Sequence, residues 1–245
     1  MKAVILAAGY ATRLYPLTLD RPKALLSVGG RTMLDRLFDQ LDGVDGLDEV
    51  YVVTNSKFAG AFRDWAAGRS GLRARIVDDG TVDEESRLGA IGDLDLTIRE
   101  AGLDDDVLVL AGDNLFSESI APFPGFALDK GGPAIGVYDV GDLDTIRRYS
   151  VIELDDDDRL TRLEEKPEQP RSTLAGIALY FYPGSALRYV REYLEDGNNP
   201  DQPGRLVQWL YPRTAVYGWR VPGRWFDVGS KETLAEADRA FTGGG

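Results

Sequence analysis

The feature that most restricts the fold is a repeated alternation in the first half of the chain. Strand-like runs at Ala3–Ala8, Val50–Thr54, Arg75–Val77 and Val107–Ala111 are separated by stretches with helical periodicity. In those stretches apolar residues recur three and four apart: Met33, Leu34, Leu37, Phe38 and Leu41, then Phe58, Phe62, Trp65 and Ala66, then Leu88, Ile91, Leu94 and Ile98. Short apolar runs linked by amphipathic helices predict a parallel sheet covered on both faces by helices. The second half reads as richer in strands, at Ala134–Tyr138, Tyr149–Leu154, Leu160–Glu164 and Leu174–Tyr182. Helices are expected over Ala186–Leu194 and Glu232–Phe241, and Gly243–Gly245 as a frayed end.

Asp155–Asp158 lies between two of the strands and lacks the glycine and terminal glutamate of a calcium loop, so it reads as a solvated hairpin tip. No internal repeat and no long polar linker interrupts the chain, and residues 1–245 are expected to form one domain. A chain of this length buries roughly 70–75% of its unfolded surface, enough for a full core. No apolar stretch reaches about 18 residues, and the start has no signal-peptide pattern, which points to a cytoplasmic protein with no membrane span.

Composition removes several chemistries. There is no Cys and no His, so thiolate nucleophiles, zinc sites built on those ligands and imidazole general bases are absent. Any metal must be held by oxygen, which favours a hard cation such as Mg²⁺. With 28 Lys and Arg against 41 Asp and Glu, the net charge is −13. That balance argues against nucleic acid or an anionic membrane as partner, and leaves room for a small phosphorylated ligand in a locally basic cleft.

The loop after the first strand carries small residues at Ala8 and Gly9, then Arg13 and Lys23. It is neither a P-loop nor a dinucleotide-binding turn, because Gly9 stands alone and no Gly-Lys-Ser/Thr follows. Small residues at the carboxyl end of a first parallel strand let backbone N–H groups approach a triphosphate, with Arg13 and Lys23 beside it. The same spacing also fits a strand-to-helix turn bearing two surface cations. Asp113 and Asp227 each follow an apolar run, as strand-end carboxylates able to meet at the sheet's carboxyl edge and hold Mg²⁺, or as plain strand caps. Glu165-Lys166-Pro167 places a further cation at a strand end.

Taken together, Leu6–Leu14, Pro22-Lys23, Leu88-Gly89-Ala90, Gly112-Asp113-Asn114, Glu165-Lys166-Pro167 and Trp225-Phe226-Asp227 span nearly the whole chain. In that order they resemble the sugar-1-phosphate nucleotidylyltransferases, the group that includes glucose-1-phosphate thymidylyltransferase and UDP-glucose pyrophosphorylase. The resemblance implies a Rossmann-like three-layer α/β/α fold with a mostly parallel central sheet. It also implies an Mg²⁺-dependent reaction of an NTP, dTTP or UTP, with a sugar 1-phosphate to give an NDP-sugar and pyrophosphate. Arg13 and Lys23 would hold the triphosphate, Asp113 and Asp227 the metal, and Lys166 the sugar phosphate. Gly89 would let the backbone meet the base, and Glu165 would face the sugar hydroxyls. Ala8, Gly9, Asn114, Ala178 and Trp225 complete the implied substrate contacts, in a monomer or dimer.

Four departures from the family pattern bear on these expectations, one of them Asn198–Gly204, which differs from the family's sugar-contact segment. Ala11 stands where relatives often have a second glycine in this loop, so a Cβ must be accommodated there. Ala178 stands where a glycine often precedes Leu-Tyr-Phe-Tyr, which would narrow the sugar pocket. Asp78–Arg87 replaces the glutamine-bearing base loop, so base preference does not carry over. Neither the long helical tail nor the β-helix of various relatives is expected here. Two other readings stay open: a cytidylyltransferase acting on phosphocholine or a cyclitol phosphate, and a silent nucleotide-sugar sensor.

Overall fold

A computed structural model describes residues 1–243; the end of the expected frayed tail, residues 244 and 245, lies outside the described residues. In chain order the first elements are β1 (Lys2–Leu6), β2 (Ser27–Val28), β3 (Arg31–Thr32), α1 (Met33–Asp42), β4 (Glu49–Thr54), α2 (Ala59–Ala67) and β5 (Arg73–Asp78). Next come α3 (Ala90–Ala101), β6 (Val107–Ala111), β7 (Asn114–Phe116), α4 (Pro122–Lys130), β8 (Ala134–Asp139) and α5 (Leu143–Ile146). The remainder is β9 (Ser150–Leu154), β10 (Leu160–Glu165), β11 (Leu174–Tyr182), α6 (Arg188–Glu195), α7 (Pro203–Leu210), β12 (Tyr217–Arg220), β13 (Trp225–Asp227) and α8 (Lys231–Thr242). The chain divides into two compact units. The first comprises Met1–Leu88, Leu110–Ala121 and the stretch from Pro222, the second Gly89–Val109 and Pro122–Val221.

In the first unit β1, β4 and β5 form a parallel ladder, with Lys2 opposite Glu49 and Glu49 opposite Arg73. Ala3, Val4 and Ile5, like Val50, Val52 and Val53, are fully buried, as strands covered on both faces require. The loops after Leu6, Thr54 and Asp78 leave the same edge, where ligands of open α/β sheets bind. Helix α1 is capped by Thr32, whose side chain accepts the Asp35 N–H at 3.0 Å. Its apolar face meets α2 through an edge-on contact of Phe38 with Trp65, centroids 5.0 Å apart. A separate antiparallel pair, β7 with β13, sets Leu115, Phe226 and Val228 into a buried cluster with Leu14, Met33 and Ala237.

The second unit runs β10-β9-β11-β8-β12, antiparallel except for β8 and β12. Helix α7 buries Leu206, Val207 and Leu210 and packs on β10 and β11. The expected strands and helices form with shifted ends. The first strand stops at Leu6, and the third helix starts at Ala90, leaving Leu88 outside it, because Gly89 at φ 79° cannot continue a helix. The loop expected up to Gly30 contains two 3₁₀ turns and the β2–β3 hairpin. Among the described residues no helix is long and apolar enough to cross a membrane.

Candidate active site

The loop after β1 is fixed by its backbone. Asn55 Nδ2 donates to the Ala8 carbonyl at 2.8 Å, and the Thr18 hydroxyl donates to the Ala11 carbonyl at 2.8 Å. Ala11 occupies the left-handed region, at φ 51° and ψ 43°, and opens a 3₁₀ turn over Thr12–Leu14. Leu14 is buried in the cluster that also holds Phe226 and Val228, while Arg13 is exposed and lines a cavity. The expectation that the loop must accept a Cβ at position 11 therefore has a concrete form, since an L-residue in this conformation costs about 1–2 kcal/mol. Ala11→Gly is expected to stabilise the protein by about 1 kcal/mol, raising Tm by about 2–4 °C in a thermal melt.

That cavity, about 380 Å³, lies in the first unit and is lined by Gly9, Arg13, Lys23, Asp113 and Asp227. Lys23 leads a 3₁₀ turn after Pro22, and its Nζ donates to Asp113 Oδ2 at 2.6 Å. Asn114 Nδ2 donates to Asp113 Oδ1 at 2.8 Å, and Trp225 Nε1 donates to Asn114 Oδ1 at 2.6 Å. A relay of donors thus orients the Asp113 carboxylate from both sides. Burial pushes the Asp113 carboxyl up, but the Lys23 ammonium and the hydrogen bonds from Lys23 and Asn114 outweigh it, and its pKa lies below the ordinary 3.8. The group is a carboxylate throughout the neutral range.

Asp227 sits opposite Asn114 in the β7–β13 pair, and the Val228 N–H donates to the Asp113 carbonyl at 3.0 Å. Because Phe226 and Val228 point into the buried cluster, strand alternation turns Asp227 to the other face, where it lines the cavity with Asp113. Both aspartates line the cavity, carried there by this short ladder, whose pairing the sequence did not reveal. Among the described residues no group of three or more His, Cys, Asp or Glu is placed to hold a metal. Two carboxylates with no nitrogen or sulfur donor nevertheless fit Mg²⁺, which binds protein through one or two carboxylates and takes phosphate and water oxygens for the rest.

The charged cavity residues that were not foreseen as contacts are Glu84 and Arg87, in the segment that departs from the family pattern. Their loop is anchored where the Thr81 N–H donates to Asp79 Oδ1 at 2.7 Å and the Thr81 hydroxyl meets the Tyr10 hydroxyl at 3.2 Å. The cavity lining therefore carries three cations, Arg13, Lys23 and Arg87, against Glu84, Asp113 and Asp227.

The second unit carries Gly89, Glu165, Lys166 and Ala178. A Cβ on Gly89 would stand 2.8 Å from the Pro200 carbonyl oxygen, and the Ile91 N–H donates to that oxygen at 2.8 Å. Glycine here serves the approach of the 198–201 loop. Lys166 has φ 47°, rare for a residue with a side chain, and its N–H donates to the Tyr149 carbonyl at 3.1 Å. This turn sets Lys166 Nζ 3.7 Å from Glu165 Oε1, with the lysine half exposed and the glutamate largely buried. Strain held at a cation beside a carboxylate is the kind of outlier that clusters at functional sites. Ala178 is half-buried in β11, between Gly176 and Tyr180, where the register against β8 shifts.

Comparison with known proteins follows this geometry. The nucleotidyl transferase family model matches residues 2–243. The chain is 25% identical over 98% of its length to the bifunctional protein GlmU of Methanocaldococcus jannaschii, of which it spans 54%, about half. It is 30% identical to UTP–glucose-1-phosphate uridylyltransferase AglF of Haloferax volcanii, covering 98% of this chain and 96% of that one. The solved Bacillus anthracis structure assigned as a glucose-1-phosphate thymidylyltransferase, with sucrose bound, superposes with a TM-score of 0.84 at 24% identity, covering 99% of this chain and 95% of the other. The fold is accordingly the mixed α/β class with a large, mostly parallel central sheet that the sequence led one to expect.

Proposed function

We propose that this chain, which belongs to the nucleotidyl transferase family, transfers the nucleotidyl group of an NTP, dTTP or UTP, to a sugar 1-phosphate. The products are an NDP-sugar and pyrophosphate. The observation that carries this reading is the first-unit cavity, where Arg13, Lys23, Asp113 and Asp227 come together from four separate stretches of sequence. The Haloferax relative's name supports UTP and glucose 1-phosphate as the first pair to try.

The backbone at Ala8 and Gly9 and the cations Arg13 and Lys23 hold the triphosphate, while the part expected of Gly89 against the base finds no support, since the 198–201 loop fills the space beside it. Asp113 and Asp227 would hold Mg²⁺, with Asn114 and Trp225 fixing the Asp113 carboxylate through the relay above. A metal held there would supply neutralisation of phosphate charge. Lys166 attracts the sugar phosphate, Glu165 accepts hydrogen bonds from sugar hydroxyls, and Ala178 bounds the sugar pocket.

A sugar-phosphate oxygen is already anionic near neutral pH, so its attack on the α-phosphorus needs no general base, consistent with a chain without histidine. One P–O bond forms, the bond to the departing pyrophosphate breaks, and Arg13 and Lys23 offset the charge that gathers there. No covalent enzyme intermediate is required.

Chromatography of product mixtures from a panel of NTPs and phosphomonoesters tests this. A nucleoside-diphosphate sugar from dTTP or UTP with a hexose 1-phosphate is expected. Product only from CTP with phosphocholine or a cyclitol phosphate would move the chain to that other substrate class, and silence across the panel would favour a sensor.

A further inference from the structure

In the second unit the Glu165 carboxylate is held from several directions, by its neighbour Lys166 and by two residues that no motif singles out, Ser150 and Gly204. Ser150 opens β9 and faces Glu165, the last residue of β10, as its cross-strand partner. The Ser150 hydroxyl donates to Glu165 Oε2, while Lys166 Nζ lies 3.7 Å from Oε1. Ser150 is 8% exposed. On the far side, Gly204 in the first turn of α7 closes over the pair: a Cβ there would stand 2.7 Å from Ser150 Oγ and 3.1 Å from Glu165 Oε2. Only a residue without a side chain lets the helix come this close, and the positive end of the helix favours a carboxylate beside it.

We propose that Ser150 is a positioning residue that fixes the orientation of Glu165 and so sets which configuration of sugar hydroxyl the enzyme accepts; this rests on the reading of Glu165 as the sugar-facing carboxylate. An ionised carboxylate offers about four lone-pair sites and, on a flexible stem, can turn them toward hydroxyls of either configuration. The Ser150 hydroxyl occupies one site on Oε2, and α7 blocks the swing that would release it. The sites left on Oε1, beside Lys166, then point in one direction. A sugar whose hydroxyl is inverted at the contacted carbon meets a carboxylate that cannot follow it. The discrimination comes from the carboxylate being held, since the serine itself need not touch the sugar.

The test measures pyrophosphate release with UTP or dTTP and, as acceptors, glucose 1-phosphate and its C4 and C2 epimers, galactose 1-phosphate and mannose 1-phosphate. Wild type is compared with Ser150→Ala and Gly204→Ala, which disturb the pair from opposite sides. Ser150→Ala is expected to raise KM for the preferred sugar phosphate about ten-fold, lower the kcat/KM ratio between epimers by about the same factor, and leave KM for the NTP unchanged. Gly204→Ala should shift the ratio in the same direction. A lower Tm with the epimer ranking and the sugar KM unchanged in both variants would reduce Ser150 to a structural contact and overturn the proposal alone. Wild-type silence with every pair would overturn the nucleotidyl-transfer reading, and this proposal with it.

Discussion

Replacing Asp227 by Asn is expected to cut turnover roughly 10²–10³-fold with little change in Tm, because the carboxylate lines the cavity yet takes no part in the buried cluster beneath it. Asp113→Asn should lose as much activity and also some stability, on the order of 1 kcal/mol after discounting for solvent access, since Lys23 then faces a neutral amide. The two variants thus separate charge at the reacting phosphates from charge that holds the site together. Raising Mg²⁺ concentration should partly restore either variant if the loss lies in metal affinity. Near-normal Mg²⁺-dependent rates in both would remove the metal assignment.

The second large effect concerns the lysines. Lys23→Ala removes the cation that the structure pairs with Asp113 at 2.6 Å. A triphosphate bound as proposed would share or take over that ammonium, so the loss should fall on the chemical step and on kcat/KM for the NTP, by about 10²-fold. Lys166→Ala is expected to act on the other substrate, raising KM for the sugar phosphate about ten-fold with a smaller change in kcat. Steady-state kinetics with each substrate varied in turn decides this, and the reverse pattern would mean that the two cations exchange roles.

The residues of the first unit were legible where they obeyed a period. Val4, Ile5, Val50, Val52 and Val53 lie in fully buried strands and read as apolar runs. Helix α1 showed itself through five buried residues at helical spacing. That Asp113 and Asp227 could share one edge was legible, but the β7–β13 pairing that carries them was not, because the two strands are three residues each, too short for alternation to register. Helices α4 and α7 were missed for another reason: Pro122, Pro124 and Gly125 in one, and Pro203 and Gly204 in the other, read as breakers. Tertiary packing overrides such local signals, and Pro203 sits in the first turn, where proline is tolerated.

Among the candidate site residues, Arg13 and Lys23 stood out as charge in a small-residue loop, and Asp113 and Asp227 as carboxylates ending apolar runs. Ser150 and Gly204 carry no such mark. A serine at a strand end and a glycine after a proline are ordinary in sequence, and their meaning lies in distances to Glu165 that only the fold supplies. The Lys23–Asp113 pair is of the same kind, joining residues 90 positions apart.

The most direct measurement is pyrophosphate release under saturating Mg²⁺ with UTP or dTTP alone, with a hexose 1-phosphate alone, and with both together. Direct transfer to the sugar phosphate requires release only when both are present, saturable in each, with one NDP-sugar formed per pyrophosphate. Release from the NTP alone at the same rate, or none with any pair, would contradict it.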